Sequence, residues 1–209
     1  MENHVLTDPA LNQLVYNALS FATAVMLGAF VYFLTQINSV DKKYRPGIAS
    51  AAVVVGIAGY HYFRIFSAWS QGVVNEGYRY ADWLLTVPLL VAELVVVSGL
   101  SKDAAKKTTP RLVVAALLMI ATGYPGETAD AGSSTRTVWG IISSIFMLYV
   151  LYELFAGEVG KALKSQSGEV GSKLNNVRYL LLFTWGVYPI AYILGDSTSW
   201  LADTLGLSG

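Results

Sequence analysis

Cysteine is absent from the 209 residues, and charge is scarce: 14 Lys and Arg and 14 Asp and Glu make up only 13% of the chain. Without cysteine there is no disulfide framework, no thiolate metal site and no thiol nucleophile. The charged fraction is about half the roughly 25% of an ordinary soluble domain. Because the two signs cancel, nothing offers a polyanion such as nucleic acid a basic surface. There is no metal-ligand cluster, since the two histidines, His4 and His61, lie far apart, and no glycine-rich strand-to-helix turn for a phosphate. What is present is apolar: 54% of the residues are hydrophobic, too many for a fold that must cover itself with polar surface. The chain belongs in a lipid bilayer.

A bilayer core about 30 Å thick takes roughly 20 mostly apolar residues of helix. Six stretches qualify, at about 9–37, 46–69, 78–100, 105–123, 135–157 and 173–195. No basic region or small-residue cleavage site precedes the first, so it reads as a span and not a cleaved signal peptide. Pro46 suits the first turn of the second. Tyr124-Pro125-Gly126 is expected to end the fourth. Residues 196–209 form a stub too short and polar to cross again. The fold class is therefore an all-α membrane protein, a single transmembrane helical bundle.

Basic residues orient it. Lys42, Lys43 and Arg45 lie between spans one and two, Lys102, Lys106, Lys107 and Arg111 between three and four, and Lys161, Lys164, Lys173 and Arg178 after span five. The positive-inside rule makes that side cytoplasmic. The amino terminus and the stub 196–209 are then expected outside the cell membrane.

Ionisable groups within a span are costly, face the bundle interior and suggest function. Span three reads Arg79-Tyr-Ala-Asp82-Trp83-Leu-Leu-Thr86-Val-Pro88-Leu-Leu90-Val-Ala-Glu93. At 100° per residue, Arg79, Asp82, Trp83, Thr86, Leu90 and Glu93 share one stripe about 100° wide. Asp82 and Glu93 stand about 16 Å apart along the axis, in the outer and inner halves of the membrane. That is too far to share a proton and right for two ends of a relay, given a titratable group between them. Directional transfer needs an ionised acceptor at one end and a neutral donor at the other. Helix–helix hydrogen bonding is the alternative use of either acid.

His61 in Gly59-Tyr60-His61-Tyr62-Phe63-Arg64 lies about 22 Å into span two, the depth of Asp82. Beside an acid it can share a proton; otherwise it is a core histidine bonded to a backbone carbonyl. Trp139-Gly140, Ser143 and Met147 on span five and Trp185-Gly-Val-Tyr188-Pro189 on span six read first as packing, with Pro189 kinking its helix.

The third-span motif closely resembles the third helix of proton-pumping microbial rhodopsins. Gly59-Tyr60-His61-Tyr62-Phe63-Arg64-Ile65, Met119-Ile-Ala-Thr-Gly123-Tyr-Pro-Gly-Glu127 and Trp185-Gly-Val-Tyr188-Pro189 resemble the proteorhodopsin and xanthorhodopsin branch. The resemblance runs in order through nearly the whole chain. It implies a seven-helix fold around all-trans-retinal, held as a Schiff base by a lysine of the seventh helix, and a light-driven outward proton pump, not an enzyme. By position, Asp82 matches the counterion and proton acceptor, Glu93 the cytoplasmic donor, His61 the acceptor's partner, Arg79 the outward arginine and Thr86 the middle residue of the pump triplet. Trp83, Thr86, Leu90, Met119, Gly123, Gly140, Ser143, Met147, Trp185, Tyr188 and Pro189 match the retinal pocket. Gly140 also matches a xanthorhodopsin glycine that opens a window for a carotenoid antenna; helix packing is its plainer use. Lipid, retinal and further copies of the chain, in a homo-oligomer, are the partners implied.

The resemblance departs at one point. The eight lysines, at 42, 43, 102, 106, 107, 161, 164 and 173, all fall in or beside cytoplasmic loops, so none is placed to hold retinal. The expectation is six of the seven helices, with the lysine-bearing seventh outside residues 1–209. The alternatives are a photosensor signalling to a partner and a lysine-less six-helix product that does not pump by itself. Glu93 argues against the sensor, which needs no fast donor.

Overall fold

The computed structural model describes residues 8–73 and 75–194. The described residues form α-helices and one short 3-10 turn: α1 (Pro9–Gln36), the turn Ile37–Ser39, α2 (Arg45–Ser70), α3 (Gly77–Val97), α4 (Lys102–Glu127), α5 (Ser134–Phe155), α6 (Glu158–Ser165) and α7 (Gly168–Leu194). Among the described residues, four stretches are long and apolar enough to cross a membrane: Pro9–Ser39, Arg45–Ser70, Gly77–Val97 and Ser134–Ser165. The other two long helices, α4 and α7, each open on a charged stretch. The expected stub 196–209 lies outside the described residues.

The helices group into two compact units, Met1–Val97 and Ser98–Gly209. In the first, Asp8 caps α1 by accepting from the Ala10 amide at 2.8 Å, and Pro9 fills the first turn, where no N–H is needed. Thr23 is the buried residue of α1; Phe21, Leu14 and Val31 stand exposed. In water such a surface would collapse, but against lipid tails it costs nothing. Helix contact in a bilayer therefore depends on close packing through small residues. The buried set of α2 is Gly47, Ala52, Val54, Ala58 and Gly59. A Cβ built on Gly59 would touch Leu27 and Met26 at 3.5 Å, so α1 and α2 meet almost backbone to backbone there. On α3 the buried set is Asp82, Thr86, Val87, Pro88, Val91, Leu94 and Val95.

The second unit packs α4 against α5 through Leu112, Ala115, Ala116, Met119, Ile120 and Gly123 on α4, a stripe at helical spacing, and Val150 and Leu154 on α5. The hydroxyl of Ser143 crosses to donate to the Met119 carbonyl at 2.8 Å.

Three stretches differ from the sequence reading. First, α4 does not stop at Tyr124 but runs through Pro125 to Glu127, because a proline removes only one helical hydrogen bond and Thr128 caps the end by returning its amide to the Tyr124 carbonyl at 3.1 Å. Second, α3 ends at Val97, where Gly99 turns the chain at φ +79°, and Ser101 then caps α4 from Lys102, earlier than the expected 105. Third, the stretch after α5 forms the amphipathic α6, burying Val159 and Leu163 and exposing Lys161 and Lys164, and α7 then starts at Gly168 instead of 173.

Candidate functional site

Within the first unit, α2 and α3 bring His61 and Asp82 together, as their matched depths require. His61 Nδ1 lies 3.6 Å from Asp82 Oδ1 and 3.1 Å from the Ile57 carbonyl one turn back on its own helix. A carbonyl only accepts, so Nδ1 must carry the hydrogen, and that N–H points between the carbonyl and the carboxyl. At 3.6 Å the pair with Asp82 is a close approach and not a formed hydrogen bond. Asp82 is 4% exposed, and its Oδ1 has no hydrogen-bond partner among the described residues. A buried carboxyl oxygen left unpaired is expensive, so this site is built for a further partner.

Thr86, also buried, donates its hydroxyl to the Asp82 carbonyl at 2.9 Å. That bond fixes the side chain on the Asp82 face of α3. Arg79 forms an ion pair with Glu76, one turn earlier, and lies over the Trp83 ring at 5.7 Å. Trp83 in turn meets Tyr80 at 5.3 Å. Neither Glu76 nor Tyr80 was singled out in the sequence, since Glu76 lies in the loop before α3. Arg64 donates to the Tyr78 hydroxyl at 2.7 Å and stacks on its ring, a second tie between α2 and α3.

Glu93 lies near the far end of α3, against the opening turn of α2. A Cβ on Gly47 would stand 3.9 Å from Glu93 Cγ and 3.7 Å from Val97. Gly47 follows Lys42-Lys43-Tyr44-Arg45-Pro46, so Glu93 sits at the basic-loop end of the unit. Its Oε2 is buried without a hydrogen-bond partner among the described residues. Each of the two acids thus has a buried oxygen without a hydrogen-bond partner among the described residues, and they stand on one helix at opposite ends of its apolar run. Leu90 between them is 38% exposed.

The second unit collects other expected pocket residues. Met119 and Gly123 are buried on α4, and Ser143 is tied to Met119. Met147, Trp185 and Pro189 are half-buried, and Tyr188 is exposed. Gly140 has an occupant that the sequence did not show: a Cβ there would come within 2.8 Å of Tyr192 Cε1. The Tyr192 hydroxyl donates to the Arg136 carbonyl at 2.8 Å, and the Arg136 guanidinium lies on the Tyr192 ring at 4.2 Å and reaches the carbonyls of Gly126 and Tyr192. The lysines stand where the sequence put them: Lys42 and Lys43 before α2, Lys102, Lys106 and Lys107 in the first two turns of α4, Lys161 and Lys164 on α6, and Lys173 near the start of α7, paired with Glu169.

Among the described residues, the long apolar helices fit an all-helical, multi-pass membrane protein, and two acid oxygens on α3, Asp82 Oδ1 and Glu93 Oε2, are buried without a hydrogen-bond partner. The chain belongs to the bacteriorhodopsin-like protein family, whose profile matches residues 14–206. It is 34% identical over 183 residues to the green-light absorbing proteorhodopsin of Gamma-proteobacterium EBAC31A08, covering 86% of this chain and 72% of that protein. To bacteriorhodopsin of Halobacterium salinarum it is 34% identical over 187 residues, 85% of this chain and 69% of that one. Among solved structures, xanthorhodopsin, described as a light-driven ion pump with dual chromophore, superposes with a TM-score of 0.85 at 42% identity, covering 96% of this chain and 85% of that chain.

Proposed function

We propose that the protein is a light-driven outward proton pump in a cell membrane, a transporter and not an enzyme, with Asp82 as proton acceptor and Glu93 as donor. The observation that carries this is the unpaired, buried Asp82 Oδ1 beside His61. Its surroundings fit a cationic N–H partner, which is what a protonated retinal Schiff base presents. Retinal, when bound, supplies a light-driven change in the basicity and direction of that N–H. On this reading its attachment lysine is not among the eight of residues 1–209.

The residues of this chain do the rest. Asp82 Oδ1 receives the proton, and the His61 N–H, which lies between that oxygen and the Ile57 carbonyl, leans to the carboxylate before transfer and to the Ile57 carbonyl after it. Thr86, tied through its hydroxyl to the Asp82 carbonyl, stays on the Asp82 face of α3. Glu93, at the basic-loop end, which we take as cytoplasmic, gives up its proton along α3 toward the middle of the membrane and is refilled from the cytoplasmic side. The amino terminus then faces outside. Trp83, Leu90, Met119, Gly123, Ser143, Met147, Trp185, Tyr188 and Pro189 are the positions we assign to the polyene. Retinal and lipid are the partners, and further copies of the chain complete a homo-oligomer. A carotenoid antenna would reach the Gly140 backbone only with the Tyr192 ring displaced.

Infrared difference spectroscopy on the full-length, retinal-loaded protein tests the acceptor. Illumination should produce a carboxylic acid C=O band that disappears in Asp82→Asn. A band that survives the substitution would assign the proton elsewhere.

A further inference from the structure

In the second unit, α4 and α5 leave between them a groove of about 610 Å³, lined in part by Arg111, Val114 and Leu118 of α4 and by Ile145, Phe146 and Tyr149 of α5. Val114, Leu118 and Ile145 stand exposed along it, so the groove offers hydrocarbon to the outside. At 100° per residue, Lys107, Arg111, Val114 and Leu118 share one stripe of α4 about 60° wide. The groove also has a direction. Ser143 is bonded to the Met119 carbonyl, which fixes a common level on the two helices. Counted from that level at 1.5 Å per residue, Leu118 and Ile145 lie within about 3 Å, whereas Tyr149 stands about 9 Å and Arg111 about 12 Å nearer the basic-loop end. Lys107 is one turn further in the same direction. The polar groups therefore gather at one mouth and apolar side chains line the rest.

Among the described residues, Lys107, Arg111 and Tyr149 make no side-chain hydrogen bond or ion pair. A guanidinium at the edge of a hydrocarbon layer is costly unless an anion meets it. We propose that the α4–α5 groove binds one anionic phospholipid, its phosphate held by Arg111, Lys107 and the Tyr149 hydroxyl, and one acyl chain lying along Val114, Leu118 and Ile145. The planar fork of Arg111 suits two phosphate oxygens, and Lys107 adds a point charge. Two cations face one phosphodiester charge, so a headgroup without an amine is preferred to one that carries a choline cation. Lys161 and Lys164 on α6 bear the same charge as Lys107 but do not line this groove. The site is independent of the roles given to Asp82 and Glu93.

The test uses the full-length, retinal-loaded protein in nanodiscs of phosphatidylcholine with increasing phosphatidylglycerol. Native mass spectrometry counts the lipids retained per protomer and the protomers per assembly, and inorganic phosphate added to the buffer is the free-anion arm. The parent should retain one phosphatidylglycerol per protomer in preference to phosphatidylcholine, and phosphate should not displace it. Arg111→Gln should lower that preference by about tenfold or more, the loss expected of a charge-assisted phosphate contact. Val114→Trp should lower it as far with both cations in place, because the indole fills the groove. Lys161→Gln and Lys164→Gln should leave it unchanged. The retinal absorption band reports that each variant is folded.

A parent without preference for phosphatidylglycerol, or a preference that survives Arg111→Gln or Val114→Trp, overturns the site. Equal losses at Arg111, Lys161 and Lys164 would mean diffuse attraction to a basic face, and displacement by inorganic phosphate would mean a site for the free anion; either contradicts the proposal. So would smaller assemblies with unchanged lipid retention in Val114→Trp, since a second copy of the chain would then be the occupant.

Discussion

The His61 ring nitrogen lies between two oxygens, 3.1 Å from the Ile57 carbonyl and 3.6 Å from Asp82 Oδ1. One hydrogen cannot satisfy both at full strength. The carbonyl cannot leave its helix, whereas on the proposed reading the carboxyl changes its charge during transport, so the imidazole is positioned to follow that charge.

The first prediction follows from this pair. The colour transition that reports protonation of Asp82 should change its midpoint in His61→Asn, and the imidazole 15N signals of the parent should change through the same transition. An unmoved midpoint would leave His61 as a packing residue bonded only to Ile57.

Glu93 gives the second. Removing a positioned general acid commonly costs a hundredfold or more, so Glu93→Gln should slow flash-induced proton uptake by about two orders of magnitude. Proton release should keep its timing, because Asp82 is about 16 Å away along α3. Altered release with normal uptake would reverse the two roles.

The placement of His61 beside Asp82, and of Asp82 and Glu93 on one helix, was legible in the sequence because it rests on one helix or on depth alone. The rise of 1.5 Å per residue put His61 and Asp82 at one level before any packing was known. Contacts made by packing were not legible. Glu76 sits in a loop, so no periodicity joined it to Arg79. Tyr192 meets Gly140 from another helix, 52 positions on, and no local pattern marks that encounter. Pro125 misled in the opposite way: a strong breaker in water ended α4 on paper, yet the helix runs through it. In a bilayer an opened turn leaves more backbone groups unpaired than the proline itself does.

Third, the two kinds of glycine should respond differently. Gly140→Ala places a carbon 2.8 Å from Tyr192 Cε1, a ring pinned by its bond to the Arg136 carbonyl, and should destabilise the protein by about 1–3 kcal/mol. Gly28→Ala on α1 meets nothing within 4 Å and should be neutral or stabilising by up to about 1 kcal/mol. Thermal unfolding in detergent compares them. A stabilising Gly140→Ala would mean that the Tyr192 ring does not rest there.

Fourth, Leu90 should set the colour. A leucine adds no strong dipole beside a polyene, so the protein should absorb green light, as its proteorhodopsin relative named for green absorption does. Leu90→Gln should shift absorption to the blue by placing an amide dipole near the chromophore. A blue-absorbing parent, or no shift, would remove Leu90 from the pocket.

The central claim is outward proton transport through Asp82, and the pH of an unbuffered, illuminated cell suspension tests it most directly. Cells producing the full-length protein with retinal should acidify the medium in the light, lose the signal with a protonophore, and give none when Asp82 is replaced by Asn. A light-driven pH change that persists in Asp82→Asn, or alkalinisation by the parent, would contradict the account.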